Sequence, residues 1–173
     1  TADGLDQLAE DLRKVGRGAA VVVVSALAAV DSDGVYFIPG RLKTDGTLLD
    51  PGVRLRLSDL TKRLRGFLPE GQDKLLVLDL APLPFWTPLG LFHNDVAGSL
   101  RTDFAKIQAN PETRVNRLLV LAGADYDDRT WSSDELRRSA FLHVFMQGVM
   151  GGAKDEGNIN PGHISVAKLF DYV

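Results

Sequence analysis

The sequence predicts an α/β protein, a three-layer α/β/α sandwich with a mainly parallel central sheet. Two observations carry that expectation. Residues 19–24, 74–80 and 117–122 are short runs dominated by Val, Leu and Ala, and strands that lack polar alternation are strands covered on both faces. Between and after them lie segments whose apolar residues recur at three- and four-residue spacing, the pattern of helices with one buried stripe. Strands alternating with such helices build a parallel sheet through right-handed crossovers, with helices on both faces.

Taken in order, Leu5, Leu8, Leu12 and Val15 share a helical face, and Gly16-Arg17-Gly18 ends that helix before the first strand. Residues 19–24 form that strand. Asp31-Ser32-Asp33-Gly34 is a turn by composition, and Val35-Tyr36-Phe37-Ile38 is a short strand closed by Pro39-Gly40. After a polar loop to Gly52, Ser58 is placed to cap a helix carrying Leu60, Leu64, Phe67 and Leu68 on one side. The second parallel strand covers 74–80. Pro82, Pro84 and Pro88 interrupt regular structure until a helix with Ala97, Leu100, Phe104 and Ile107 inward, and residues 117–122 supply the third strand. Ser132 and Glu135 have capping-box spacing ahead of a helix whose core stripe is Leu142, Phe145, Met146 and Val149, stopped by Gly151-Gly152. Ser165 opens a last helix with Val166, Leu169, Phe170 and Val173 inward. No repeat or linker divides residues 1–173, so a single domain is expected.

Composition narrows the function. The chain has 173 residues, 45% apolar and 25% charged, with a net charge of -3 and both signs interspersed. That gives no basic stripe for nucleic acid or an anionic membrane surface. There is no cysteine, which removes disulfides, thiolate metal sites and any cysteine nucleophile. No apolar stretch approaches the ~20 residues that cross a bilayer. A soluble chain is expected, with the cytoplasm favoured and no cofactor.

The ends of the first two strands carry the most specific signal. The first runs into Ser25-Ala26-Leu27-Ala28 and the second into Asp79-Leu80-Ala81. Together with Trp131-Ser132-Ser133-Asp134-Glu135-Leu136, residues 141–151 and residues 164–173, these strands resemble the caspase-like cysteine peptidases. In that family the first of these strands ends in Ser-Gly-His-Gly and the second in Asp-Ala-Cys. The resemblance covers the chain from about Leu5 onward and corresponds to the later two-thirds of the family domain, so the family's first strands are expected to be missing or supplied by another chain. It places Leu27 at the general-base histidine and Ala81 at the nucleophilic cysteine. Neither side chain moves a proton or attacks a carbonyl, and no catalytic residue is assigned. The resemblance therefore implies a pseudoprotease acting in protein–protein interaction, scaffolding or regulation. A hydrolase with recruited residues, or one subunit of a split caspase-like domain, is the alternative.

Several residues remain as binding candidates. The resemblance puts Asp79 at a position that lines a pocket for a basic side chain, and a carboxylate there can hold a guanidinium. Its other reading is a strand-end group that only hydrogen-bonds loop backbone. Ser25 is either a recruited nucleophile or a hydroxyl capping the strand end, and no Gly-x-Ser-x-Gly elbow surrounds it. Trp86, in Pro84-Phe85-Trp86, and Trp131 with Ser132 beside it are binding anchors or core plugs. His143 falls on the Ser139 and Gln147 side of its helix, and His93 and His163 lack partners at metal-ligand spacing. The twelfth position of a calcium loop opening at Asp31 is Leu42, which reduces that segment to an ordinary turn. Asp125, Asp127 and Asp128, with Arg129 beside them, are either a weak cation site or a solvated acidic loop. The expected partner is a protein or peptide: a second copy of the chain, through an open sheet edge at residues 19–24 or 117–122, or a chain supplying the missing strands.

Overall fold

Apolar residues without interruption, flanked by turn formers, produce the strand that organises the molecule. The computed structural model describes residues 19–38, 54–68, 70–82, 95–123, 132–133, 138–153 and 164–173. Strand β1, Ala20–Asp31, continues seven residues past the 19–24 run. Ser32 and Asp33 turn it into β2, Gly34–Ile38, which returns antiparallel from Asp31↔Gly34 to Leu27↔Ile38. Gly34 has φ 109, and an added Cβ would stand 2.1 Å from an Asp103 carboxylate oxygen. A short β3, Leu55–Arg56, pairs with β2 and leads directly into helix α1, Leu57–Phe67. Its N-cap is Arg56, with no side-chain cap, so the expected cap at Ser58 is corrected: fully buried Leu57 already belongs to the first turn.

Strand β4, Lys74–Pro82, lies parallel to β1, and β5, Leu118–Ala122, lies parallel to β4. Helix α2, Val96–Ala109, connects them, with Asp95 accepting from the Gly98 N–H at its start. The sheet order is β3-β2-β1-β4-β5, so the three apolar runs are adjacent and mutually parallel as expected while the hairpin makes the sheet mixed. Arg117 sits just ahead of β5 at φ 56 and donates to Asp73 at 2.7 Å.

Period-two alternation sends one side of every strand into a single core. Ala20, Val22 and Ala28 of β1 meet Leu76, Leu78 and Leu80 of β4 there, beneath Leu57, Leu60, Leu64 and Leu68 of α1 and Val96, Leu100 and Ile107 of α2. Both described helices of this unit thus pack on one sheet face. The helix expected over Leu5–Val15 lies outside the described residues. Lys74 is buried at the start of β4, donating to the Gln72 and Asn116 carbonyls at 2.7 and 3.2 Å. Burial pushes its ammonium below the ordinary lysine range, and the nearby Arg117 charge adds to that.

The chain divides into two compact units, Thr1–Asp128 and Arg129–Val173. In the second, β6, Ser132–Ser133, pairs antiparallel with β7, Arg138–Ser139. Helix α3, Ala140–Gln147, begins only afterwards, its N-cap Ser139 accepting from the Leu142 N–H at 2.9 Å. The capping box expected at Ser132 and Glu135 is therefore corrected, since Ser132 has entered a strand. A π turn, Gly148–Gly152, follows with Gly151 at φ 119. It seats α4, Val166–Tyr172, capped by Ser165. A Cβ on Gly148 would lie 2.6 Å from Leu169, and one on Gly152 2.6 Å from the Tyr172 hydroxyl, so these glycines let the short helix approach. That seating corrects two expected stripes. Among Val166, Leu169, Phe170 and Val173 only Leu169 is buried and Phe170 is 67% exposed, while beyond Phe145 the α3 stripe opens to solvent at Val149.

Candidate functional site

Parallel pairing of β1 with β4 fixes the strand ends. The register runs Ser25↔Asp79, Ala26↔Leu80, Leu27↔Ala81 and Ala28↔Pro82. Residues two apart share a face, so Ser25 with Asp79 and Leu27 with Ala81 form two successive rungs on the side opposite the α1–α2 core. Ser25 Oγ donates to Asp79 Oδ2 at 2.8 Å, and Asp79 is only 5% exposed. A hydrogen bond to a charged acceptor inside a partly buried site is among the stronger ones. It orients the hydroxyl hydrogen onto the carboxylate. Leu27 packs on Ala29, Tyr36 and Ile38, and Ala81 is exposed.

These two rungs offer a carboxylate, a hydroxyl and two hydrocarbon side chains. His143, the one described histidine, lies on α3 in the other unit, 3.0 Å from the Gln147 amide. Among the described residues no group of three His, Cys, Asp or Glu could hold a metal ion. Trp86, Trp131, Asp125, Asp127 and Asp128, with His93, His163 and Arg129, lie outside the described residues, as does the side chain of Ser132. The sequence singled out Ser25 and Asp79 separately. Their direct contact was legible only through strand register: Ser25 sits two positions before Leu27 and Asp79 two before Ala81, and parallel in-phase strands bring equal offsets together.

A second concavity was not anticipated. The β1–β2 turn and the face of α2 enclose a cleft of about 360 Å³ lined by Asp31, Ser32, Gly34, Asp95, Thr102 and Asp103, among others. Each acid is already engaged. Asp31 takes both Arg56 guanidinium nitrogens, at 2.5 and 2.7 Å, and that pairing holds its carboxyl below the usual carboxylate range. Asp103 accepts from the Val35 N–H at 2.7 Å and lies 3.4 Å from Lys106, and Asp95 caps α2. Arg54 and Arg56 also lie against the Tyr36 ring, 4.7 and 5.3 Å from its centroid. The group therefore pins the hairpin to α2 and β3.

No protein-family model, curated protein or solved structure matches the chain. Among the described residues, no helix is long and apolar enough to cross a membrane.

Proposed function

We propose that the chain is a catalytically silent caspase-like domain that acts by associating with a protein or peptide. The observation that carries this reading is the pairing of Leu27 with Ala81 on neighbouring parallel strands. The positions at which the family resemblance expects a histidine and a cysteine stand side by side, and they hold a butyl group and a methyl group. Covalent peptidase chemistry needs a nucleophile and a base in contact, and removing both members of such a unit removes the route. The finer architecture we propose is the family's three-layer sandwich.

The recruited-serine alternative is weaker on the same geometry. Ser25 has an acidic partner but no base among the described residues around it, and its proton is directed at Asp79. Fluorogenic peptides ending in Arg, Lys or Asp test both readings. The expected result is release at the buffer rate for the natural chain and for Ser25→Ala alike. Turnover that Ser25→Ala abolishes would replace the proposal with the hydrolase.

A further inference from the structure

Backbone polarity on β1 divides cleanly between its two edges. Ala20 donates its N–H to Asp73 O at 2.8 Å, on the β4 side. Within a strand both backbone groups of a residue point to one edge and those of the next residue to the other. Ala20, Val22, Val24 and Ala26 therefore bond to β4, while Val21, Val23 and Ser25 direct their N–H and C=O groups to the outer edge. From Leu27 onward β2 takes that edge; before Leu27 no described strand does. Side-chain burial changes at the same place. On the face away from α1 and α2, Leu75 and Val77 of β4 are 7% and 0% exposed, whereas their β1 neighbours Val21 and Val23 are 48% and 41% exposed.

Resting on the association reading above, we infer that this edge is the partner's docking site and that its occupant is an extended, uncharged peptide strand added beside Val21, Val23 and Ser25. Three outward N–H and C=O pairs are a ladder for one strand and offer a helix nothing equivalent. Ile38, opposite Leu27, limits the occupant at one end, and the start of β1 at Ala20 limits it at the other. About six residues fit between them at strand rise. No residue from Ala19 to Val30 is charged, so the edge neither pairs with charge on the incoming strand nor repels a neutral one. Apolar side chains at alternate positions of the occupant cover Val21 and Val23.

The test uses the full chain with a fluorescein-labelled Thr-Val-Thr-Val-Thr-Val peptide, read by polarisation and by amide hydrogen exchange. Binding is expected to protect the amides of Val21, Val23 and Ser25, which exchange faster in the free chain than those of Val22 and Val24. Val23→Pro removes one outward N–H and leaves the β4 ladder intact; it is expected to weaken binding at least about tenfold, roughly 1.4 kcal/mol. The Val21→Lys, Val23→Lys pair keeps the whole backbone and is expected to weaken binding likewise should the proline variant not fold. No polarisation change at millimolar protein, protection confined to other segments, or self-association that protects these amides without peptide would each overturn the inference. Hydrolysis of the fluorogenic peptides bears on the silent-domain reading instead, so the two failures are distinguishable.

Discussion

At Gly34 one missing methyl group decides whether the hairpin closes. The turn needs φ 109 there, and Asp103 sits so near that any side chain would meet its carboxylate. Gly34→Ala adds strain and a clash, and should lower stability by about 1–3 kcal/mol in urea unfolding. Asp103→Ala, which strands the Val35 N–H, should cost about 1–2 kcal/mol. In the double variant the clash is gone while the backbone strain and the stranded Val35 N–H remain, so the two losses should sum to more than the measured total. The Asp31–Arg56 pair makes a pH-dependent contribution of known sign. Arg56 lowers the folded carboxyl below its unfolded value of about 3.9. The stabilisation is therefore fully present above about pH 4 and is lost as pH falls through the still lower folded value. Asp31→Asn should lower the urea midpoint at pH 7 by an amount equivalent to about 1 kcal/mol, and the difference from the natural chain should shrink as pH falls below about 4.

Among the elements, those with sustained periodicity were legible and those fixed by partners were not. The three parallel strands follow from uninterrupted apolar sequence. Helices α1 and α2 follow from Leu60 and Leu64 and from Leu100 and Ile107, all buried as the spacing requires. Strand β1 outran its valine run because Ala26–Val30, poor in intrinsic strand preference, is held extended by pairing with β2, a tertiary effect. Strand β3 is two residues long and has no pattern to read. The start of α3 was misplaced because a Ser with an acid three residues on can cap a helix or enter a hairpin. The signal that would have decided it is Ser139, immediately ahead of the apolar run from Ala140. Ser139→Ala should therefore cost about 1 kcal/mol, while Ser132→Ala should leave the helical circular dichroism signal unchanged. In the candidate site, Ser25 and Asp79 were visible as residues but their bond was not, since it exists only once two strands take one register.

At the largest scale, the stability of the Thr1–Asp128 unit rests on β4, the strand flanked on both sides by parallel neighbours, whose Leu76, Val77 and Leu78 are each 0% exposed. Leu76→Ala opens a cavity under α1 and α2 and should cost about 2–5 kcal/mol in equilibrium unfolding. Together with β1, the same strand carries the proposed function, in which Leu27 of β1 and Ala81 of β4 stand where a base and a nucleophile would cooperate, so that side-chain identity alone leaves the site silent. The natural absence of cysteine makes that claim measurable on one thiol, by following the pH dependence of iodoacetamide labelling in Ala81→Cys with and without Leu27→His. If the two positions are neighbours as their register states, the imidazolium should lower the thiol pKa from the ordinary value of about 8.5 by a unit or more. An identical labelling profile in the single and double variants, both shown to be folded, would contradict the account.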